Sequence, residues 1–119
     1  MSSSFSTREL TTAIYTATLQ NGAGVPIVKA NIVSAQLTLK DVDTGEVINS
    51  RLNQNIIDDN NVTIHDTSGL LTWTIQPEDN VLINPARQSE THRAVFDIVY
   101  SSTQRLRYEL YLQVRNITE

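Results

Sequence analysis

Arg93-Ala94-Val95-Phe96-Asp97-Ile98-Val99-Tyr100, followed after residues 101–105 by Leu106-Arg107-Tyr108-Glu109-Leu110-Tyr111-Leu112-Gln113-Val114, is the stretch on which the fold turns. Ala94, Phe96, Ile98 and Tyr100 alternate with Arg93 and Asp97. Leu106, Tyr108, Leu110, Leu112 and Val114 alternate with Arg107, Glu109, Tyr111 and Gln113. A period of two sends successive side chains to opposite faces of a sheet, so this reads as two long antiparallel strands, each with one face in a core.

The same period recurs upstream. Val33, Ala35, Leu37 and Leu39 alternate with Ser34, Gln36, Thr38 and Lys40. Leu71, Trp73 and Ile75 alternate with Thr72, Thr74 and Gln76, directly after an Asp66-Thr67-Ser68-Gly69 turn that makes residues 62–65 the hairpin partner. Weaker strands are expected at residues 11–19 and 46–51, the second after Asp41-Val42-Asp43-Thr44-Gly45. About seven short strands with almost no helical periodicity predict an all-β fold, a sandwich of two antiparallel sheets, with a small barrel as the rival closure. Residues 77–91 are long enough to cross between sheets, and Pro77-Glu78-Asp79 suits a single helical turn there.

The chain has 119 residues, which is room for one core. With 39% hydrophobic and 18% charged residues it is globular rather than disordered in composition. It has no cysteine, which excludes disulfides, thiolate metal sites and a cysteine nucleophile. A net charge of -4 disfavours nucleic acid and anionic membrane as partners. The opening Met-Ser-Ser-Ser-Phe-Ser-Thr-Arg-Glu lacks the apolar segment of a secretion signal, so synthesis in the cytoplasm is expected. Residues 1–8 read as a flexible Ser/Thr-rich tail around Phe5, and residues 9–119 as the single domain.

No residue pattern calls for catalysis, a metal or a cofactor. Asp41-x-Asp43-x-Gly45-Glu46 has the opening of a calcium loop but not its later ligands or helical flanks, and Asp58-Asp59-Asn60-Asn61 has the composition of a turn. The two histidines, His65 and His92, neighbour Asp66 and Glu90, yet the strand phase of Glu90 and His92 suits side chains that satisfy backbone groups at a sandwich corner. Asn61-Val62-Thr63 and Asn116-Ile117-Thr118 match the glycosylation sequon by chance. Arg105, Arg107 and Arg115 form a local basic region able to face an acidic neighbour. A sugar-binding platform would need exposed rings, for which Tyr15 and Tyr111 are the candidates, Trp73 being in phase with the core.

Three apolar runs lie outside the clean strands: Val25-Pro26-Ile27-Val28, Ile56-Ile57 and Val81-Leu82-Ile83. They either plug the ends of the sandwich or, with Phe5, dock on another subunit.

As an ensemble, Gly22-Ala23-Gly24-Val25-Pro26-Ile27, Ser34-Ala35-Gln36-Leu37-Thr38-Leu39, Asp43-Thr44-Gly45 and Thr67-Ser68-Gly69-Leu70-Leu71-Thr72-Trp73-Thr74-Ile75 resemble the immunoglobulin-like modules of tailed-phage virion proteins. The order is similar to the N-terminal module of phage baseplate upper proteins. Glu90-Thr91-His92-Arg93-Ala94-Val95-Phe96 resembles the entry to the sixth strand of such domains. The chain departs from the pattern in lacking a glycine between Tyr100 and Leu106 and any fibre or receptor-binding region. The resemblance implies an immunoglobulin-like β-sandwich acting as a virion structural protein, in head decoration or in a tail or baseplate. Its partners would be phage capsid or tail proteins, and many symmetric copies would be present. A carbohydrate-binding module and a non-virion host-interaction protein are the alternatives.

Overall fold

The computed structural model describes residues 2–116; Met1 of the expected tail and residues 117–119 of the expected domain, with most of the Asn116 sequon, lie outside them. Eight strands form two sheets. They are β1 (Ser2–Arg8), β2 (Ala13–Thr18), β3 (Ile32–Asp41), β4 (Gln54–Asn55), β5 (Val62–Ile64), β6 (Leu70–Ile75), β7 (Ser89–Tyr100) and β8 (Gln104–Arg115). One sheet runs β1-β8-β7-β3-β4 and the other β2-β6-β5. With β3, β7 and β8 together on one side and β2, β6 and β5 on the other, this is the strand order of an immunoglobulin-like sandwich. Residues 76–88 cross between the sheets through a 3-10 turn at Pro77–Asn80.

The alternation reads through to the core. Leu37, Leu39, Trp73, Phe96, Ile98, Leu110 and Leu112 are all fully buried between the sheets. Phe96 stacks on Tyr108 with centroids 4.8 Å apart and meets Trp73 edge-on at 5.8 Å, so aromatic rings pack on one another between the sheets. The β7–β8 hairpin pairs without interruption from Ser89↔Arg115 to Tyr100↔Gln104. Its turn has no glycine, and Ser101 and Ser102 take the left-handed conformation instead, with φ of 48° and 69°.

Three sequence expectations are corrected. Residues 2–8 are not a tail but β1, paired in parallel with β8, so the sandwich is not wholly antiparallel. Phe5 packs edge-on to Tyr15 at 6.0 Å, and the buried Thr7 hydroxyl donates to Asn80 Oδ1 at 2.9 Å. A strand of Ser and Thr with one large apolar side chain carries no visible hydrophobic period, because backbone pairing supplies its order. Residues 46–51 are not a strand. They hold only a single bridge, Lys40↔Val47, and Asn49, Ser50 and Asn53 turn the chain at positive φ before β4. Finally, Val33 is exposed, because a register irregularity between Ile32 and Ser34 turns Ile32 onto the core in its place.

Gly69 ends the β5–β6 turn at φ +72°, and a Cβ there would sit 2.6 Å from the Leu19 carbonyl oxygen. That carbonyl accepts the Ile27 amide, while the Leu19 amide donates to Gly69 itself, so backbone would have to move. Gly69→Ala is therefore expected to cost more than about 1 kcal/mol in denaturant unfolding, the opposite sign to a glycine replacement at a compatible site.

Candidate functional site

Period-two alternation also decides what each sheet shows to its surroundings. On β2, Ala13, Tyr15 and Ala17 face the core, which leaves Ile14, Thr16 and Thr18 outside. On β6 the outward set is Leu70, Thr72 and Thr74, and on β5 it is Thr63. The register lines these up in rows: Thr16, Thr72 and Thr63 cross all three strands, Ile14 pairs with Thr74, and Thr18 pairs with Leu70. Ile14 is 62% exposed and Leu70 39%. No strand residue on this face is charged. Uncharged side chains desolvate at far less cost than charged ones, and depletion of charge marks an interface centre rather than ordinary solvated surface.

The outer face of the five-stranded sheet is built on the opposite principle. Arg93 on β7 reaches Glu109 on β8 at 2.6 Å, and the Tyr111 hydroxyl donates to the same carboxylate at 2.9 Å. Arg105 makes a two-pronged contact with Asp97, its Nε donating to Oδ1 at 2.8 Å. Lys40, Arg93 and Arg107 line a shallow depression with Gln36, Thr38 and Asp97. Of the expected basic region, Arg105 and Arg107 are on this face, and Arg115 lies at the far end of β8 beside Arg8.

The Arg105 contact holds the Asp97 carboxyl below its usual range, with burial opposing the shift. A folded-state value below the unfolded one means that the pair supports the fold above the ordinary aspartate range and loses that support as pH falls through the folded value. In an NMR titration Asp97 should ionise with a midpoint below 3.8, and Arg105→Ala should raise it.

The structure redistributes the expected interface residues. Ile27, Ile56 and Leu82 are buried in the core and cannot dock on a partner. The Ile27 amide bonds to the Leu19 carbonyl and the Ile56 amide to the Ala35 carbonyl. Phe5, Ile57 and Ile83 are half-buried against that core, and Val28 is half-buried as well. Only Val25 and Val81 are exposed. Tyr15 and Tyr111 form no common platform: Tyr15 lies against Phe5 and Phe96 on the inner side, whereas Tyr111 is on the outer face beside Glu109. The charge-free face was missed, although Ile14 and the threonines follow from the same alternation that identified the core.

Both acidic turns commit carboxylate oxygens to hydrogen bonds and ion pairs within the chain. Asp41 Oδ2 accepts the Thr44 amide and hydroxyl at 2.9 and 2.8 Å, and Asp43 pairs with Arg87 at 2.6 Å. Asp58 accepts the Ile64 amide and pairs with Lys29. Exposed His65 accepts the Thr67 and Ser68 amides at Nδ1, whereas His92 is buried beside Glu90.

No protein-family model and no curated protein matches this chain. Among solved structures it is similar to the N-terminal Ig1-2 module of the Drosophila receptor protein tyrosine phosphatase DLAR, at 10% identity and a TM-score of 0.40, over 93% of this chain and 44% of that one. It is also similar to the first Ig-like domain of human CD48 antigen, at 16% identity and a TM-score of 0.39, over 96% of this chain and 82% of that one. The chain thus spans under half of the DLAR module.

Proposed function

We propose that this chain is a non-catalytic docking domain of a tailed-phage particle, present in many symmetric copies and seated on a capsid or tail subunit through the outer face of β2, β6 and β5. One observation carries the docking role: seven outward strand residues, Ile14, Thr16, Thr18, Thr63, Leu70, Thr72 and Thr74, include no charge, while the other sheet is covered with ion pairs. The phage setting rests on the sequence resemblance.

A charge at the middle of this face tests both parts. Thr72→Lys should leave unfolding within about 0.5 kcal/mol of the parent, as surface substitutions do. It should nevertheless reduce copies in purified particles at least tenfold, measured by quantitative mass spectrometry. Gln113→Lys, on an exposed position of β8, should incorporate normally. Equal incorporation of Thr72→Lys would refute the docking face. Absence of the parent chain from particles, with capture of a host protein from infected cells, would favour the host-interaction alternative.

A further inference from the structure

At one end of the sandwich interior, the core of apolar side chains gives way to three ionisable ones. Asp41 on β3 and His92 on β7 are cross-strand partners, and Glu90 precedes His92 by one strand period, so all three point between the sheets. Asp41 is 2% exposed, His92 0% and Glu90 3%. Glu90 is held from outside: its Oε1 accepts the Ile83 amide and its Oε2 the Asn84 amide, both at 2.7 Å. Burial pushes the Glu90 carboxyl up, but these two amides and His92 together outweigh it and keep it below the ordinary glutamate range. Asp41 is held through Oδ2 by Thr44.

What remains is one oxygen without a partner. Asp41 Oδ1 is buried and accepts no hydrogen bond, although it lies 3.8 Å from His92 Nε2. That nitrogen is 3.1 Å from Glu90 Oε1, and a single hydrogen on it serves one carboxylate, not two. One donor atom from each of the three residues converges within 4.8 Å of the others. Two buried carboxylates without a matching cation are costly, and a divalent ion would neutralise both and satisfy the orphan oxygen together.

The geometry and donor set suit zinc. Tetrahedral bonds of about 2.0–2.2 Å place ligand atoms roughly 3.3–3.6 Å apart. The separations of 3.1 and 3.8 Å to His92 Nε2 lie within a few tenths of an ångström of that range, and all three atoms lie within 4.8 Å of one another, so coordination requires a small inward shift of the carboxylates. An imidazole nitrogen disfavours calcium and magnesium, and the absence of sulfur disfavours copper(I).

We propose that Asp41 Oδ1, Glu90 Oε1 and His92 Nε2 form a three-ligand zinc site, tying the end of β3 and the start of β7 to the backbone at Ile83 and Asn84. Binding places the imidazole hydrogen on Nδ1. That hydrogen meets no acceptor, and the Nε2–Glu90 hydrogen bond is exchanged for coordination, so the metal must outweigh both losses.

The test uses untagged full chain, stripped with chelator and titrated with zinc chloride at pH 7 by calorimetry. One equivalent should bind saturably, and a hundredfold excess over Kd should raise the Tm by about 5 °C or more. His65→Ala removes the other histidine and should change neither result. His92→Ala should abolish binding. Because that variant can fail to fold, Asp41→Asn supplies an independent measure: it retains an acceptor for Thr44 but removes the charge, and should weaken zinc at least tenfold. Failure of the parent to bind one equivalent, loss of binding in His65→Ala, or unchanged affinity in a folded Asp41→Asn would each overturn the proposal.

Discussion

Arg51→Met is expected to lower the unfolding free energy by about 3–5 kcal/mol, a large part of the roughly 5–15 kcal/mol that typically separates a domain from its unfolded state. The Arg51 side chain is buried and spends all five of its N–H groups. Nε and Nη2 fork onto Asp79 Oδ1 and Oδ2 at 2.6 and 3.0 Å. Nη1 donates to Gln54 Oε1 and the Asn60 carbonyl, and Nη2 also to Asn61 Oδ1. The guanidinium lies 5.6 Å from the Trp73 ring centroid. Asp79 in turn accepts the Gln76 amide and the Asn49 side chain. The network joins the irregular segment around β4 to the turn after β6, where little regular pairing is available. Methionine would leave a buried carboxylate without its cation. Arg51→Lys should recover little, because a point charge cannot reproduce the fork. Arg51→Met with Asp79→Leu should lose less than the sum of the single changes, since removing both charges leaves neither stranded. Urea denaturation of the parent, the three single variants and the double variant decides it, and a loss below about 1 kcal/mol in Arg51→Met would show that the network is incidental to stability.

Trp73→Ala should cost about 3–5 kcal/mol, the range for truncating a buried aromatic ring. Trp73 is fully buried, bounded by Phe96 on one side and the Arg51 guanidinium on another. Its indole Nε1 is also buried without an acceptor. Trp73→Phe removes that unsatisfied donor while keeping most of the ring, so it should cost less than about 2 kcal/mol, well below alanine. Equal losses for the two substitutions would mean that ring volume is not what position 73 contributes. Trp73 is the only tryptophan, so parent unfolding is followed by its fluorescence and the variants by circular dichroism.

Strand phase was legible wherever apolar and polar residues alternate. Leu71, Trp73 and Ile75 on β6, their hairpin partners on β5, and the alternation over residues 93–100 and 106–114 were placed correctly, because facing is a local property of an extended chain, although β7 already begins within the expected crossover and β8 within the expected turn. It failed at Val33, where a register irregularity changes the phase, and at β1, whose Ser-rich sequence has no phase to read. The apolar runs around Ile27, Ile56 and Leu82 were assigned to a partner or an end-plug because hydrophobicity alone does not distinguish covering by another subunit from covering by the chain's own other sheet. The charge-free face was readable from the same pattern that revealed the core.

Residue order thus specified an all-β chain, its core positions and the character of its two outer faces, since each depends on neighbours two positions away. Pairing among buried charges was settled at another level. Arg51 meets Asp79 across 28 positions, and Asp41 comes to lie opposite His92 where β3 pairs with β7. Nothing near any of these residues in the sequence names its partner. The choice depends on how the intervening connections cross between sheets, and on low-polarity surroundings in which an unmatched charge is too costly to leave alone.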